Sequence, residues 1–249
     1  MSAANQLIQD ITKEINNLPT GEYGEVLFDE GYFADLPPPD AFLHPEPDIF
    51  MESDEPGLRN RLERTQQPLL GYYRPMRSPG EIVLVRKQLH RFYWSLVKHS
   101  RAGLPYLSPL DLEGALHLVV KKTDHHEHFH FYSDVLRQMS SGTFEPLLEE
   151  ALAVAWARMK LLGEPWNSKI GRMNRVFHYR IFEQAFAYTS PGYRDWPDYA
   201  DEIRFKSAWL DYLSPPNYRR LQANGVNNLQ DLMFNLLGQV NGGYVDRLE

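Results

Sequence analysis

Asp124-His125-His126-Glu127-His128-Phe129-His130-Phe131-Tyr132-Ser133-Asp134 and, beyond a Ser140-Ser141-Gly142 break, Leu147-Leu148-Glu149-Glu150-Ala151-Leu152-Ala153 decide how this chain is read. Within the first stretch, residues 126–130 satisfy H-E-x-x-H. Helical residues four apart lie about 40° apart around the axis, so the His126 and His130 imidazoles point the same way. Two neutral imidazoles so placed can grip one Zn²⁺ at about 2.0–2.1 Å each. Glu127, about 100° round from His126, can reach a water at that ion without being a ligand. A third ligand is then needed from a neighbouring helix. Nineteen residues separate His130 from Glu150, enough to end one helix and bring a second back across it. Glu149 and Glu150 are both within reach, and Ala151, Ala153 and Ala155 let the two helices approach closely.

Outward from this centre, Asp111 suits an N-cap. The pattern predicts one long helix from there to about Met139, in one piece or broken once near Thr123–Asp124. A second helix is predicted over Glu145–Leu162, with Pro146 tolerated in its first turn. A third follows over Ile170–Tyr188, and shorter ones near Tyr199–Leu213 and Asn228–Leu237. Upstream, Gln6–Leu18 places Leu7, Ile8, Ile11 and Ile15 on one helical face. Glu81–Arg86 (EIVLVR) is the clearest strand, with a helix over Gln88–His99 after it. The expected class is α+β, mainly helical, with a small sheet. From Pro19 to about Glu55 prolines deny regular structure. Residues 1–56 are therefore read as a Pro-rich, acidic N-terminal arm and 57–249 as the main domain.

Composition narrows the functions. The chain has 249 residues, 43% hydrophobic and 24% charged, ordinary for a globular protein. Its net charge is −7 with no basic run, which argues against nucleic acid as a partner. It has no cysteine, so thiolate metal sites, disulfides and a cysteine nucleophile are excluded. Met1–Asn17 is polar and amphipathic rather than leader-like, and no stretch has the length to span a bilayer. A cytoplasmic location and no membrane partner are expected.

H-E-x-x-H followed at this distance by a glutamate starting E-A-L-A resembles the gluzincin metallopeptidases, of the thermolysin and alanyl-aminopeptidase type. The resemblance covers roughly residues 111–160. It implies a zincin-like core, a Zn²⁺ ion held by His126, His130 and Glu150, a peptide or protein substrate, and Glu127 as general base. Glu150 is preferred to Glu149 because the family's ligand is followed by a small, an apolar and another small residue. Pro191-Gly192-Tyr193-Arg194-Asp195 is also similar to a segment of a bacterial branch of H-E-x-x-H proteins. Two features depart from the family. Its histidine-orienting Asp is replaced by Val154, which leaves Asp134 or Asp124 as candidates for that role. Its oxyanion-stabilising His or Tyr has no motif here; His178, Tyr179, Tyr188 and Tyr193 are available, and Tyr193 and His178 are taken as the catalytic candidates.

Plainer readings stand beside these. His125 and His128 project away from the metal face, and His128 with Asp124 forms a rival pair that leaves Glu127 without a role. Glu149 can be a first-turn acid favoured by the helix dipole. Arg194 can clamp a substrate carboxylate or simply pair with Asp195. The arm can be a docked extension, or it can hold the chain latent with His44, Glu46 or Asp48 at the fourth metal position. If the Glu81–Arg86 strand edges a cleft, it can take an extended peptide by strand addition. Three functions therefore compete: a zinc peptidase, a non-catalytic interaction protein with the same fold, and a toxin-type protease with one dedicated protein target.

Overall fold

The long histidine-bearing helix forms in one piece. A computed structural model describes residues 2–43, 69–74, 80–104, 106–140, 145–213 and 244–249. In chain order these form α1 (Ala3–Asn16), β1 (Gly71–Arg74), β2 (Gly80–Leu84), α2 (Arg86–Ser100), α3 (Pro109–Ser140), α4 (Pro146–Leu162), α5 (Arg175–Ala185), α6 (Glu202–Leu213) and β3 (Tyr244–Leu248). The described chain is mainly helical with a small three-stranded sheet. No described helix is long and apolar enough to cross a membrane. The predicted Asn228–Leu237 helix, and His44, Glu46 and Asp48 of the arm, lie outside the described residues.

Local chemistry sets the helix boundaries. Ser108 starts α3: its hydroxyl accepts from the Asp111 amide at 3.3 Å, and Asp111 Oδ2 accepts from the Ser108 amide at 2.9 Å. This reciprocal cap begins the helix three residues earlier than an Asp111 cap does. Asp111 Oδ1 also accepts from the Asn174 amide, and Asn174 Oδ1 accepts from the Val176 and Phe177 amides at 3.0 and 3.2 Å. That anchored cap starts α5 at Arg175, five residues later than periodicity predicts.

Every other described helix, together with β1 and β2, packs on α3. Its first half buries Leu112, Leu116, Val119 and Val120 in a cluster shared with α1, α2 and α5. Its second half buries Phe129 against Leu152 and Trp156 of α4 and Phe205 and Trp209 of α6. Phe131 turns instead to Tyr73 and Ile82 of the sheet. A helix buried on several sides needs no single apolar stripe. Residues of the N-terminal segment share the first cluster: α1 contributes Leu7, Ile11 and Ile15, and Phe33, Phe42 and Leu43 follow. Ser95 donates to the Pro37 carbonyl at 2.6 Å and Lys98 to that of Phe33 at 2.9 Å.

The sheet corrects one expectation. Its order is β1-β2-β3, with β2 antiparallel to β1 (Gly71 opposite Leu84) and parallel to β3 (Gly80 opposite Tyr244). The EIVLVR strand is therefore central, and both its edges are filled. Ile82, Val83 and Leu84 have no exposure. It cannot accept a further strand. Among the described residues β1 is the edge strand nearer the histidines.

Candidate metal centre

The spacing of α3 and the return of α4 bring three ligand atoms together. His126 Nε2 and His130 Nε2 are 3.1 Å apart. Glu150 Oε2 lies 3.0 Å from the first and 3.3 Å from the second. All three side chains are buried, at 8%, 4% and 4% exposure, and together they can hold a metal ion. Glu150 Oε2, though close to two ring nitrogens, has no hydrogen-bond partner of proper alignment. Three atoms able to offer lone pairs, gathered this closely in a buried site, suit a shared cation, and the two imidazole nitrogens are also within hydrogen-bond reach of each other.

The electrostatics agree. Burial works to raise the Glu150 pKa, but the charge of His130 and the close approach of both histidine rings outweigh it, so the carboxyl is held well below its usual range. Burial lowers the His126 pKa against the pull of Glu150. Burial also works to lower that of His130, yet the Glu150 and Glu149 carboxylates overcome it and hold it well above the usual value. One positive charge is thus wanted inside the triangle, and without a metal His130 supplies it.

Glu149 takes a role that the sequence left to others. Its Oε1 is 2.8 Å from His130 Nδ1. A carboxylate only accepts, so Nδ1 carries the hydrogen and the neutral ring presents its bare lone pair at Nε2. Glu149 is fixed in turn by Arg137 at 3.0 Å and by the Tyr212 hydroxyl, which itself accepts from Arg137 at 2.8 Å. Burial, and then the charge of Glu149, push the Tyr212 pKa well up and keep its hydroxyl a donor. Asp134 lies one step further out, accepting from Arg137 and from Tyr73, each at 2.9 Å. Asp124 pairs with His128 at 3.4 Å. Neither aspartate orients a metal-facing histidine; Glu149 does, because it sits beside Glu150 on the same first turn of α4.

The other side of the centre opens on a cavity of about 50 Å³. Lys122, Thr123, His126, Glu127, Tyr188 and Tyr193 line it, together with Phe42, Leu69, Leu70 and Gly71. Glu127 is 5% exposed. The Tyr193 ring stacks on that of His126 at 5.7 Å and 12°. Gly192 positions it, with φ 80° and ψ −69°, a backbone conformation strained for any residue with a Cβ. Among the described residues His126 Nδ1 has no hydrogen-bond partner, and Val154 is a buried apolar residue. Gly71 brings β1 against α3: a Cβ there falls 2.9 Å from Thr123 Cγ2 and 3.2 Å from Glu127 Cγ.

Of the two candidates for a carbonyl-stabilising group, Tyr193 reaches the cavity and His178 does not. His178 sits on α5 with its ring against Phe182 and is absent from the lining. Tyr188 is present instead, and burial, then Glu150 and Glu127, push its pKa well up. Arg194 pairs with Asp195 at 3.6 Å on the surface. Sequence reasoning passed over Lys122, although it lies four residues before His126 and so shares the histidine face. It is 2% exposed, and burial pushes its pKa down to about 7 against the opposing charge of Glu127.

No protein-family model, curated protein or solved structure matches the chain. The class that the fold and site define is therefore a mainly helical chain with a buried His-His-Glu group able to hold a metal ion.

Proposed function

We propose that this chain is a zinc-dependent hydrolase of peptide bonds with a zincin-like core, in which His126, His130 and Glu150 hold the ion and Glu127 is the general base. The observation that carries the reading is the triangle of ligand atoms with edges of 3.0, 3.1 and 3.3 Å. Donors of a tetrahedral zinc at about 2.0–2.1 Å lie about 3.3 Å from one another. Two imidazoles and one carboxylate suit zinc among divalent ions, and three protein ligands leave a fourth position open for chemistry.

A bound zinc supplies Lewis acidity, acidifying water to a pKa of about 7 and polarising a carbonyl. Glu127, buried on the cavity wall next to His126, takes the proton of the attacking water and passes it to the leaving amine. Tyr188, kept protonated, is the donor best suited to a developing oxyanion, and Tyr193 holds the His126 ring by stacking. Glu149 fixes the His130 tautomer. A peptide is favoured as substrate because β1 runs past Glu127 with no strand on its outer edge among the described residues. An extended segment can pair with that edge and place its carbonyl near the ion.

The test is metal analysis of the purified protein and of His126→Ala, with cleavage of a proteome-derived peptide library by wild type and Glu127→Gln. One zinc per chain, lost in His126→Ala, is expected. So is cleavage abolished by Glu127→Gln with the metal retained. A chain without stoichiometric zinc ends the proposal. Zinc with no Glu127-dependent cleavage would leave a non-catalytic metal protein in its place.

A further inference from the structure

We propose that Lys122 is an anion subsite beside the metal centre, so that the substrate carries a carboxylate next to the bond that is cut. The inference deepens the peptidase reading and rests on it for the identity of the reaction, though not for the binding of the anion.

Lys122 is 2% exposed and forms no hydrogen bond or ion pair among the described residues. Its ammonium instead faces three rings, at 4.7 Å from Tyr188, 5.0 Å from Phe92 and 5.7 Å from Phe186. Cation–π attraction of this kind offsets only part of the hydration an ammonium loses on burial. Neighbouring basic side chains are treated differently. Lys121, the adjacent residue, pairs with Glu164, and Arg137 pairs with Asp134 and Glu149. Glu127 is near enough for its charge to be felt by Lys122. A buried cation without an anionic partner is costly, and this one lines the cavity that also holds His126 and Glu127.

Position and size define the ligand. Lys122 precedes His126 by one helical turn, about 6 Å along the axis. A group held there lies one residue or less from a carbonyl at the ion. A cavity of about 50 Å³ has room for a carboxylate. A single ammonium beside the Glu127 carboxylate suits a monoanion rather than a phosphate. In a peptide the carboxylate comes from an acidic side chain or from a free C-terminus, and both present the same chemistry to Lys122.

Calorimetry with glutarate and its monoamide tests the subsite without requiring turnover. Wild type is expected to bind glutarate at least tenfold more tightly than the monoamide. Lys122→Met is expected to bind the two within about twofold of each other, and Lys122→Arg to keep a preference. Circular dichroism and melting of each variant establish folding, and the arginine variant keeps the test decisive if the methionine one does not fold. No preference in wild type, or one that survives in Lys122→Met, overturns the proposal. Zinc stoichiometry is read separately, so the metal assignment and the anion subsite can each fail alone. Two peptides then locate the carboxylate: one with an internal glutamate and an amidated end, one neutral with a free end. The one whose binding weakens tenfold in Lys122→Met names the source; no weakening of either counts against the subsite.

Discussion

The two flanks of the His126–His130 pair are built on opposite plans. Behind His130, Glu149, Arg137, Tyr212, Asp134 and Tyr73 form a continuous polar chain that runs from the sheet through α3 and α4 to α6. In front of His126 are an Nδ1 with no hydrogen-bond partner among the described residues, a stacked tyrosine, a buried lysine and a cavity. The contrast separates holding from reacting. A fully bonded network fixes ring orientation, because each donor is committed.

Substitutions on each flank should have different effects. The largest effect is expected on the open side. Glu127→Gln should lower kcat by about 10²–10⁴-fold with zinc content unchanged, measured on any peptide that wild type cleaves. On the closed side the first loss should be in metal affinity. Glu149→Ala removes the acceptor that fixes His130 and should weaken zinc binding by about 10–100-fold in competition with a chelator. If zinc affinity is unchanged, the network behind His130 is only structural.

Gly192 joins the two flanks, since a Cβ there meets Leu147 O at 2.9 Å and Glu150 Cβ at 3.4 Å. Gly192→Ala should cost about 1–3 kcal/mol of stability through backbone strain alone, read from urea unfolding. The smallest effect concerns Lys122, again on the open side. Its folded pKa is pushed down to about 7 from the usual 10.5, so the unfolded chain takes up this proton at higher pH than the folded one. Above pH 10.5 both states are neutral and burial carries no penalty. As pH falls through this window the penalty grows, reaching its full value below 7. Lys122→Met should therefore raise stability by about 1 kcal/mol near pH 7, net of lost cation–π contacts, and the gain should shrink towards pH 10.5. Urea midpoints across that range check it.

Much of the fold was legible because it is local. The α1 stripe of Leu7, Ile8, Ile11 and Ile15, the single long α3, and α4 with Pro146 in its first turn follow from periodicity and end signals. Boundaries failed where a distant residue intervened: Asp111 anchors the Asn174 cap and delays α5. β1 (GYYR) and β3 (YVDRL) were invisible as strands, since neither has the continuous apolar, β-branched run of β2. Their place in the sheet depends on pairing with β2 across sequence. In the site, the His126–His130 pair and Glu150 could be read from spacing and resemblance. Lys122, His126, His130 and Asp134 share a four-residue repeat along one face of α3, so the lysine was within reach of the same reasoning.

The sequence alone determined that two imidazoles one turn apart face one way and that a helix opening on two carboxylates follows, because helical geometry is fixed by covalent structure and hydrogen bonding within the segment. Tertiary structure decided the rest. Glu149 and Glu150 are adjacent on α4, about 100° apart around its axis, and only the rotation of α4 against α3 turns one to the ring nitrogens and the other to the back of His130. The same packing chose Tyr188 and Tyr193 over His178 and left Lys122 facing the cavity, since which side chains meet across helices depends on contacts between residues far apart in the chain.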